Sequence, residues 1–473
     1  MTATPPHLAV PTGQLRAELT GRVIAPDDAA YDTARSVFIG GIDRRPAVIV
    51  QPVDATEVAR VVTLARDTGL ALAVRSGGHS LAGHSVCDGG IVLDLSALRG
   101  LAIDVESRTA WAQTGLTAGD YTTAASAHGL ATGFGDTASV GIGGLTLGGG
   151  VGFLVRKHGL TIDSLLAAEV VTADGQIRYA DADHHPDLFW ALRGGGGNFG
   201  VATRFRYQLH PVDTVVGGML VLPATPEVIA SFVAAAEAAP EELTTMADVL
   251  PAPPLPFLPA EHHGHPIIMA SLCYAGPADA GERAVAPFRA LAAPLVDMVE
   301  PMAYRDIYLP EEDGHPLVAL HPMFLDTFDR DAGELILDGV HASTAAMPAV
   351  HLRVLGGAVA RVPTDATAFA HRKRPIMVVV AAVYERPEEA AEQQAWVAAL
   401  ARALHDGSEG AYVNFLDDTG EARVSEAYPG SSWDRLVAIK TTYDPHNLFR
   451  SNHNIPPAAQ DLSARRSAMP MSK

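Results

Sequence analysis

The chain has 473 residues, 48% of them hydrophobic, and a formal net charge of −20. That is enough apolar material for two or three domains with large cores, and it excludes a chain dominated by disorder. The acidic balance argues against nucleic acid or anionic membrane as a partner, since both call for clustered Lys and Arg.

Residues 1–45 give few firm signals. The N-terminus lacks a basic start followed by an apolar core, so no signal peptide is expected. No run of about 18 uninterrupted apolar residues suggests a membrane span. Two cysteines, Cys87 and Cys273, are too few and too far apart for a disulfide framework or a Cys-based metal site. The expectation is a soluble, cytoplasmic protein of α/β or α+β class.

Ala47 to Val50 reads as a short strand after Pro46. Asp54 and Glu57 have capping-box spacing, Val58, Val61, Val62 and Ala65 recur at helical spacing, and Gly69 ends the helix. Leu70 to Val74 reads as a buried strand leading into Arg75-Ser76-Gly77-Gly78-His79-Ser80. The paired glycines let the backbone approach a bulky flat group or a negative one. A histidine there is either a hydrogen-bonding turn residue or a side chain presented to a ligand, and the later glycine clusters favour the second. Ile91 to Leu95 and Thr109 to Gln113 read as strands, and Thr117 to His128 as a helix stopped by Gly129.

Six glycines then fall between 143 and 152. A helix there would lose about 1 kcal/mol per glycine relative to alanine, so a loop or a very short glycine-packed turn is expected. Its N–H groups suit a pyrophosphate; close packing against a helix or sheet is the other reading. Ala167 to Thr172 and Gln176 to Tyr179, joined by Asp174-Gly175, predict a hairpin. Gly195, Gly197 and Gly200 fit G-x-G-x-x-G, but no clear strand precedes them and Val201 to Leu209 reads as a strand, so this is not a Rossmann fingerprint.

Pro211 marks a change. From about 213 to 405 strands alternate with amphipathic helices, such as Pro226 to Ala239 and Pro387 to Leu404. Pro251 to Pro259 reads as a surface loop, with His262, His263 and His265 as solvated residues rather than a metal site. Ile376 to Tyr384 is strongly β-prone.

Several of these segments carry a family resemblance. They are Arg75 to Ser80; Val140-Gly141-Ile142-Gly143-Gly144 with Gly148, Gly149, Gly150 and Gly152; Arg156 to Leu160; Leu188-Phe189-Trp190 with Arg193 to Gly200; Tyr412-Val413-Asn414-Phe415; and Tyr443-Asp444-Pro445 with Asn447, Phe449-Arg450, Asn452 and Asn454-Ile455-Pro456. In this order they resemble bacterial berberine-bridge-enzyme-like flavoproteins of the vanillyl-alcohol-oxidase, or PCMH-type, FAD fold.

The resemblance implies an α+β protein. An FAD-binding domain, 1–212, is completed by a returning C-terminal segment, 441–473. Between them, 213–440 forms a substrate domain with a large antiparallel sheet backed by helices. It places cofactor contacts at Arg75, Ser76, Gly77, Gly78, His79, Ser80, Gly83, His84, Thr137, Val140, Gly141, Gly143, Gly144, Gly148, Gly149, Gly150, Gly152, Gly200, Val201, Tyr412, Asn414 and Asn452, with no metal. It implies that His79 bonds the flavin 8-methyl carbon. Many relatives add a second tether through a cysteine three residues before the motif valine; here that residue is Thr137, so one covalent link is expected. A small residue at Val140 implies access for O2 and release of H2O2.

The implied reaction moves a hydride from a CH–OH or CH–NH group of a secondary metabolite, sugar or amine to flavin N5. Tyr412, with Asn414 on the same strand face, is the first candidate for base or substrate-orienting group. Some relatives use a tyrosine just after the asparagine, and Phe415 stands there. His351, His371, Arg372 and Tyr384 are the alternatives in the middle region. A flavin dehydrogenase and a catalytically silent binding protein are the competing functions.

Overall fold

The structure is a computed structural model that describes residue 10 and residues 12–309, 314–417 and 420–458. The apolar runs Val48–Gln51, Leu72–Arg75 and Ile91–Asp94 pair in parallel, and Arg22–Ile24 joins antiparallel at the edge. Val48, Ile49 and Val50 are all fully buried, as a parallel sheet covered on both faces requires. The helix Ala55–Thr68 connects the first two of these strands, with Asp54 accepting the Glu57 N–H and Gly69 closing it at φ 69°. The expected capping box is only half made. The Glu57 carboxylate accepts instead from the N–H groups of Thr20, Gly21 and Val53. The incoming chain crosses the helix start there and brings partly buried backbone donors that pair with it.

A second, five-stranded antiparallel sheet runs Leu101–Asp104, Thr109–Gln113, Val201–Gln208, Leu165–Val171, Ile177–Ala180. It contains the expected hairpin, turned by Gly175 at φ 80°. The G-x-G-x-x-G match lies between the helix Pro186–Leu192 and the strand Val201–Gln208, the reverse of the Rossmann order.

The middle of the chain builds an eight-stranded antiparallel sheet from described residues. Its order is Val296–Asp297, Thr214–Pro223, Pro266–Tyr274, Leu243–Pro251, Met347–Val354, Ile376–Tyr384, Leu317–Leu325, and Glu300–Ala303 also pairs with Thr214–Pro223. Strand alternation decides what each face carries. Leu352, Val378, Val380 and Ala382 turn to one side, where the helices Pro226–Ala238, Ala278–Arg289, Arg330–Ala342 and Ala390–Leu404 cover them. Residues of the other parity, among them Leu320, Arg353, Val379 and Ala381, turn the opposite way, and Leu320, Val379 and Ala381 pack with Leu81 and Phe415.

His262, His263 and His265 lie at the end of the loop after Pro251, and no described group of three His, Cys, Asp or Glu could hold a metal ion. No described helix is long and apolar enough to cross a membrane. Of the expected C-terminal segment, residues 459–473 lie outside the described residues.

After the helix Ser431–Tyr443 the chain returns to the first half. Lys440 is wholly buried, and its ammonium donates to Asp444 at 2.6 Å and to the carbonyls of Asn198 and Phe449 at 2.8 Å each. The Asp444 carboxylate accepts from the N–H groups of Leu448 and Phe449.

Two of the alternative catalytic candidates are also framework residues. Arg372, fully buried, forks onto Asp163 at 2.7 and 2.8 Å. His371 stacks on Phe324 and contacts the Ala427 carbonyl through Nε2. Burial pulls its pKa down from 6.5 to about 4.

Two predictions follow from these buried groups. Lys440→Met leaves Asp444 charged and unpaired, and should lower stability by about 3–5 kcal/mol in urea titration; an unchanged midpoint would show the pair to be dispensable. The unfolded chain protonates His371 below pH 6.5, while the folded one resists until about pH 4. The stability it contributes is therefore present above pH 6.5 and lost as pH falls toward 4, by about 3 kcal/mol. His371→Gln should flatten the fall in stability over that window; equal slopes for the two proteins would refute the assignment.

Candidate functional site

The strand Leu72–Arg75 delivers the turn that begins the site. Arg75 is held back beneath it: the buried guanidinium pairs with Asp94 at 2.9 Å and donates to the carbonyls of Ser36 and Ala34. Beyond it two glycine segments meet backbone to backbone. A Cβ on Gly77 would fall 2.3 Å from the Gly141 nitrogen, and one on Gly141 2.2 Å from the Gly77 nitrogen. Only glycine at both positions permits that approach. Ser76 fixes the junction, donating from Oγ to the Thr114 carbonyl at 2.6 Å and accepting from the Gly143 N–H at 3.2 Å. Next to it, His79 stacks on Phe38 with centroids 4.3 Å apart, and its Nε2 lies 3.0 Å from Ser139 Oγ.

Part of the glycine-dense segment departs from the loop or very short glycine-packed turn expected from its composition, while Gly149, Gly150 and Gly152 lie outside regular structure. Ile142–Gly148 is a two-turn α-helix. Its glycines give up helix propensity but let neighbours come close. A Cβ on Gly148 would lie 1.9 Å from Asn414 Oδ1, and one on Gly152 1.2 Å from the Phe134 carbonyl oxygen. Gly149 and Gly150 sit against Tyr412 and Thr161, and Gly83 against Ile42. These glycines pack the wall from behind. Gly144 differs: a Cβ there meets nothing within 4 Å.

The two segments open into a cavity of about 400 Å³. Of the residues expected from sequence, Ser76, Gly77, Gly78, His79, Ser80, His84, Thr137, Val140, Gly141, Gly143, Gly144, Gly200, Val201, Tyr412, Asn414 and Asn452 line it. Arg75 lines a more open crevice that shares Phe38 and Ser76 to His79 with this cavity. Burial lowers the His84 pKa to about 4, helped by Arg44, so this imidazole is neutral near pH 7. Cys87 and Cys273 are both buried, and burial pushes their thiols up to about 11 and about 12.

Tyr412 and Asn414 meet as expected, but not on a strand. Val413–Phe415 is a 3₁₀ turn, closed by the Phe415 N–H on the Tyr412 carbonyl. The phenolic oxygen accepts from the Gly150 N–H and from Asn414 Nδ2, each at 2.9 Å. Asn414 Nδ2 also donates to the Leu145 carbonyl, at 3.0 Å. Burial raises the Tyr412 pKa above 10, and the two donated bonds only partly offset it. The tight turn brings the Phe415 ring edge-on to Tyr412, centroids 5.1 Å apart.

The remaining alternatives lie apart from the cavity wall. Tyr384 ends its strand packed against the helix-covered core. His351 binds Asp248 through Nδ1. Burial opposes its charge, but the Asp248 carboxylate raises its pKa above 6.5.

Sequence reasoning missed Phe38, Asp136, Arg353, Tyr428, Phe449 and His453, all in the wall. A signal existed for Arg353. It stands two residues from His351 on a strand, and residues i and i+2 share a face.

Comparisons with known proteins fall along the same segments. Residues 46–181 match the model of an FAD binding domain, and residues 411–456 the model described as berberine and berberine like. (R)-6-hydroxynicotine oxidase of Paenarthrobacter nicotinovorans is 33% identical over 463 residues, covering 93% of this chain and 97% of that one. The crystal structure of 6-hydroxy-D-nicotine oxidase from Arthrobacter nicotinovorans superposes with a TM-score of 0.82 at 28% identity, over 92% of this chain and 98% of that one. Xylooligosaccharide oxidase from Myceliophthora thermophila C1, in complex with xylobiose, gives 0.82 at 25% identity, over 95% of this chain and all of that one. The chain therefore belongs to the berberine-bridge-enzyme-like FAD-linked oxidoreductases.

Proposed function

We propose that this protein is an oxidase that carries FAD on His79 and removes a hydride from a CH–OH or CH–NH group of a small molecule. The observation that carries the reading is the convergence of the 76–80 turn and the 141–144 segment on one cavity shared with Tyr412 and Asn414. The lining fits the cofactor. Gly144 leaves room that any side chain would fill, and His84 Nε2 and Asn452 Oδ1 are buried polar atoms without a protein partner. Bound FAD supplies the hydride acceptor, and O2 takes the electrons away as H2O2.

In this reading the N–H groups of the two glycine segments receive the pyrophosphate. His79 is the sole tether: Thr137 has no thiol, and both cysteines are buried and protonated. Val140, small and in the cavity wall, leaves the path for O2. Tyr412 keeps its proton near neutral pH, because burial holds its pKa above 10. It therefore orients the donor group by hydrogen bonding rather than acting as a free phenolate. Residues 1–212 and 441–473 form the cofactor domain, and 213–440 the substrate domain. The hydroxynicotine and xylooligosaccharide oxidases among the relatives make a cyclic amine or a sugar the first donors to try.

Denaturing gels under ultraviolet light after an acid soak should show a fluorescent band that His79→Ala abolishes, and mapping should find one flavopeptide. A band that survives the substitution would overturn the tether. Tyr412→Phe should keep its flavin yet slow anaerobic bleaching by an active donor by about 10²-fold, whereas unchanged bleaching would remove Tyr412 from the mechanism. Reduced enzyme should reoxidise rapidly in air; slow reoxidation would make it a dehydrogenase.

A further inference from the structure

The wall of the cavity carries one Lys or Arg side chain among the described residues, Arg353. It comes from the strand Met347–Val354, on the sheet face away from the helices. Its side chain is 12% exposed, and Nη2 donates to Asp136 at 2.6 Å. Nε and Nη1 are buried and have no hydrogen-bond partner. The guanidinium also lies over the Phe415 ring, 5.0 Å from its centroid, beside Tyr412.

A guanidinium shielded from water with donors unmatched is a strained arrangement unless something completes it. Among the described residues the nearby carboxylates do so only in part: Asp248 is drawn by the Arg353 charge as well as by His351. Asp136 engages Nη2 alone and, at 31% exposed, is better solvated than its partner. Asp248, one strand over, is held by His351. Arg353 lines the cavity, so a ligand there can complete it once the guanidinium turns Nε or Nη1 toward the open space, and the acceptor that best matches such a cation is an anionic oxygen.

We propose that Arg353 is the specificity-determining residue of this site and that it selects donors bearing a carboxylate. The proposal rests on the reading of the cavity as an FAD and substrate site. It adds a recognition point at the Tyr412 end, where the carboxylate would fix which C–H bond is presented.

The test uses flavin-loaded enzyme titrated with benzoate and with benzamide, its neutral counterpart, followed by the perturbation of flavin absorbance. Benzoate should bind at least about tenfold more tightly than benzamide. Arg353→Met should bring the two affinities together at unchanged flavin content, and Arg353→Lys should keep part of the preference. Asp136→Asn, which removes the competing carboxylate but keeps Arg353, should widen the preference. If wild type binds the two probes alike, if Arg353→Met keeps the preference, or if that variant loses its flavin, the proposal falls. Should Arg353→Met fail to fold, an unchanged preference in Asp136→Asn overturns it. A colourless wild type would instead overturn the reading of the cavity itself.

Discussion

One ammonium group with no access to water fastens the end of this chain to its first half. Lys440 places its three N–H bonds on Asp444, Asn198 and Phe449, and Asp444 in turn receives two backbone N–H groups of the returning segment. A buried ion pair is tolerable only when its remaining valences are filled, and here they are. Asn198 extends the knot, donating to the carbonyls of Gly195 and His453 and accepting from the Ile455 N–H. Gly196, Gly197, Phe449, Ser451, Asn452 and His453, all tied to this knot by sequence or hydrogen bond, form one end of the cavity. The site is therefore built from chain segments some 250 residues apart, such as Asn198 and Ile455, and this cluster sets their spacing.

Much of this was legible because local rules dominate locally. The helix Ala55–Thr68 keeps its Asp54 cap and its Gly69 stop, the hairpin keeps its Asp174-Gly175 turn, and the strand Ile376–Tyr384 matches its apolar run residue for residue. The second glycine cluster was separated from a nucleotide-binding fingerprint by its flanks alone. What the pattern could not carry was tertiary. Helix propensity argues against Ile142–Gly148, yet that segment is helical, and its glycines leave the space that Ser76 and Asn414 occupy. The Glu57 carboxylate was read against its own helix and instead serves donors more than thirty residues earlier in the chain.

The candidate site shows the same division. The turn, the histidine and the Tyr412–Asn414 pair were visible as motifs, while the 3₁₀ geometry that joins that pair was not. Arg353 was invisible for another reason. An arginine on a strand of a large sheet is ordinary in sequence; what singles it out is which face it occupies and how few partners it finds there. On the proposed reading, recognition of the donor rests on the part of the chain whose meaning depends most on assembly.

The burial of the two thiols has a consequence for endurance. On the oxidase reading, each turnover leaves a molecule of peroxide beside the protein that made it. A cysteine reacts with peroxide as the thiolate, which attacks the O–O bond, and Cys87 and Cys273 are both enclosed and held in the protonated form. On that reading the chain offers its own waste product no ionised thiol to oxidise at either cysteine.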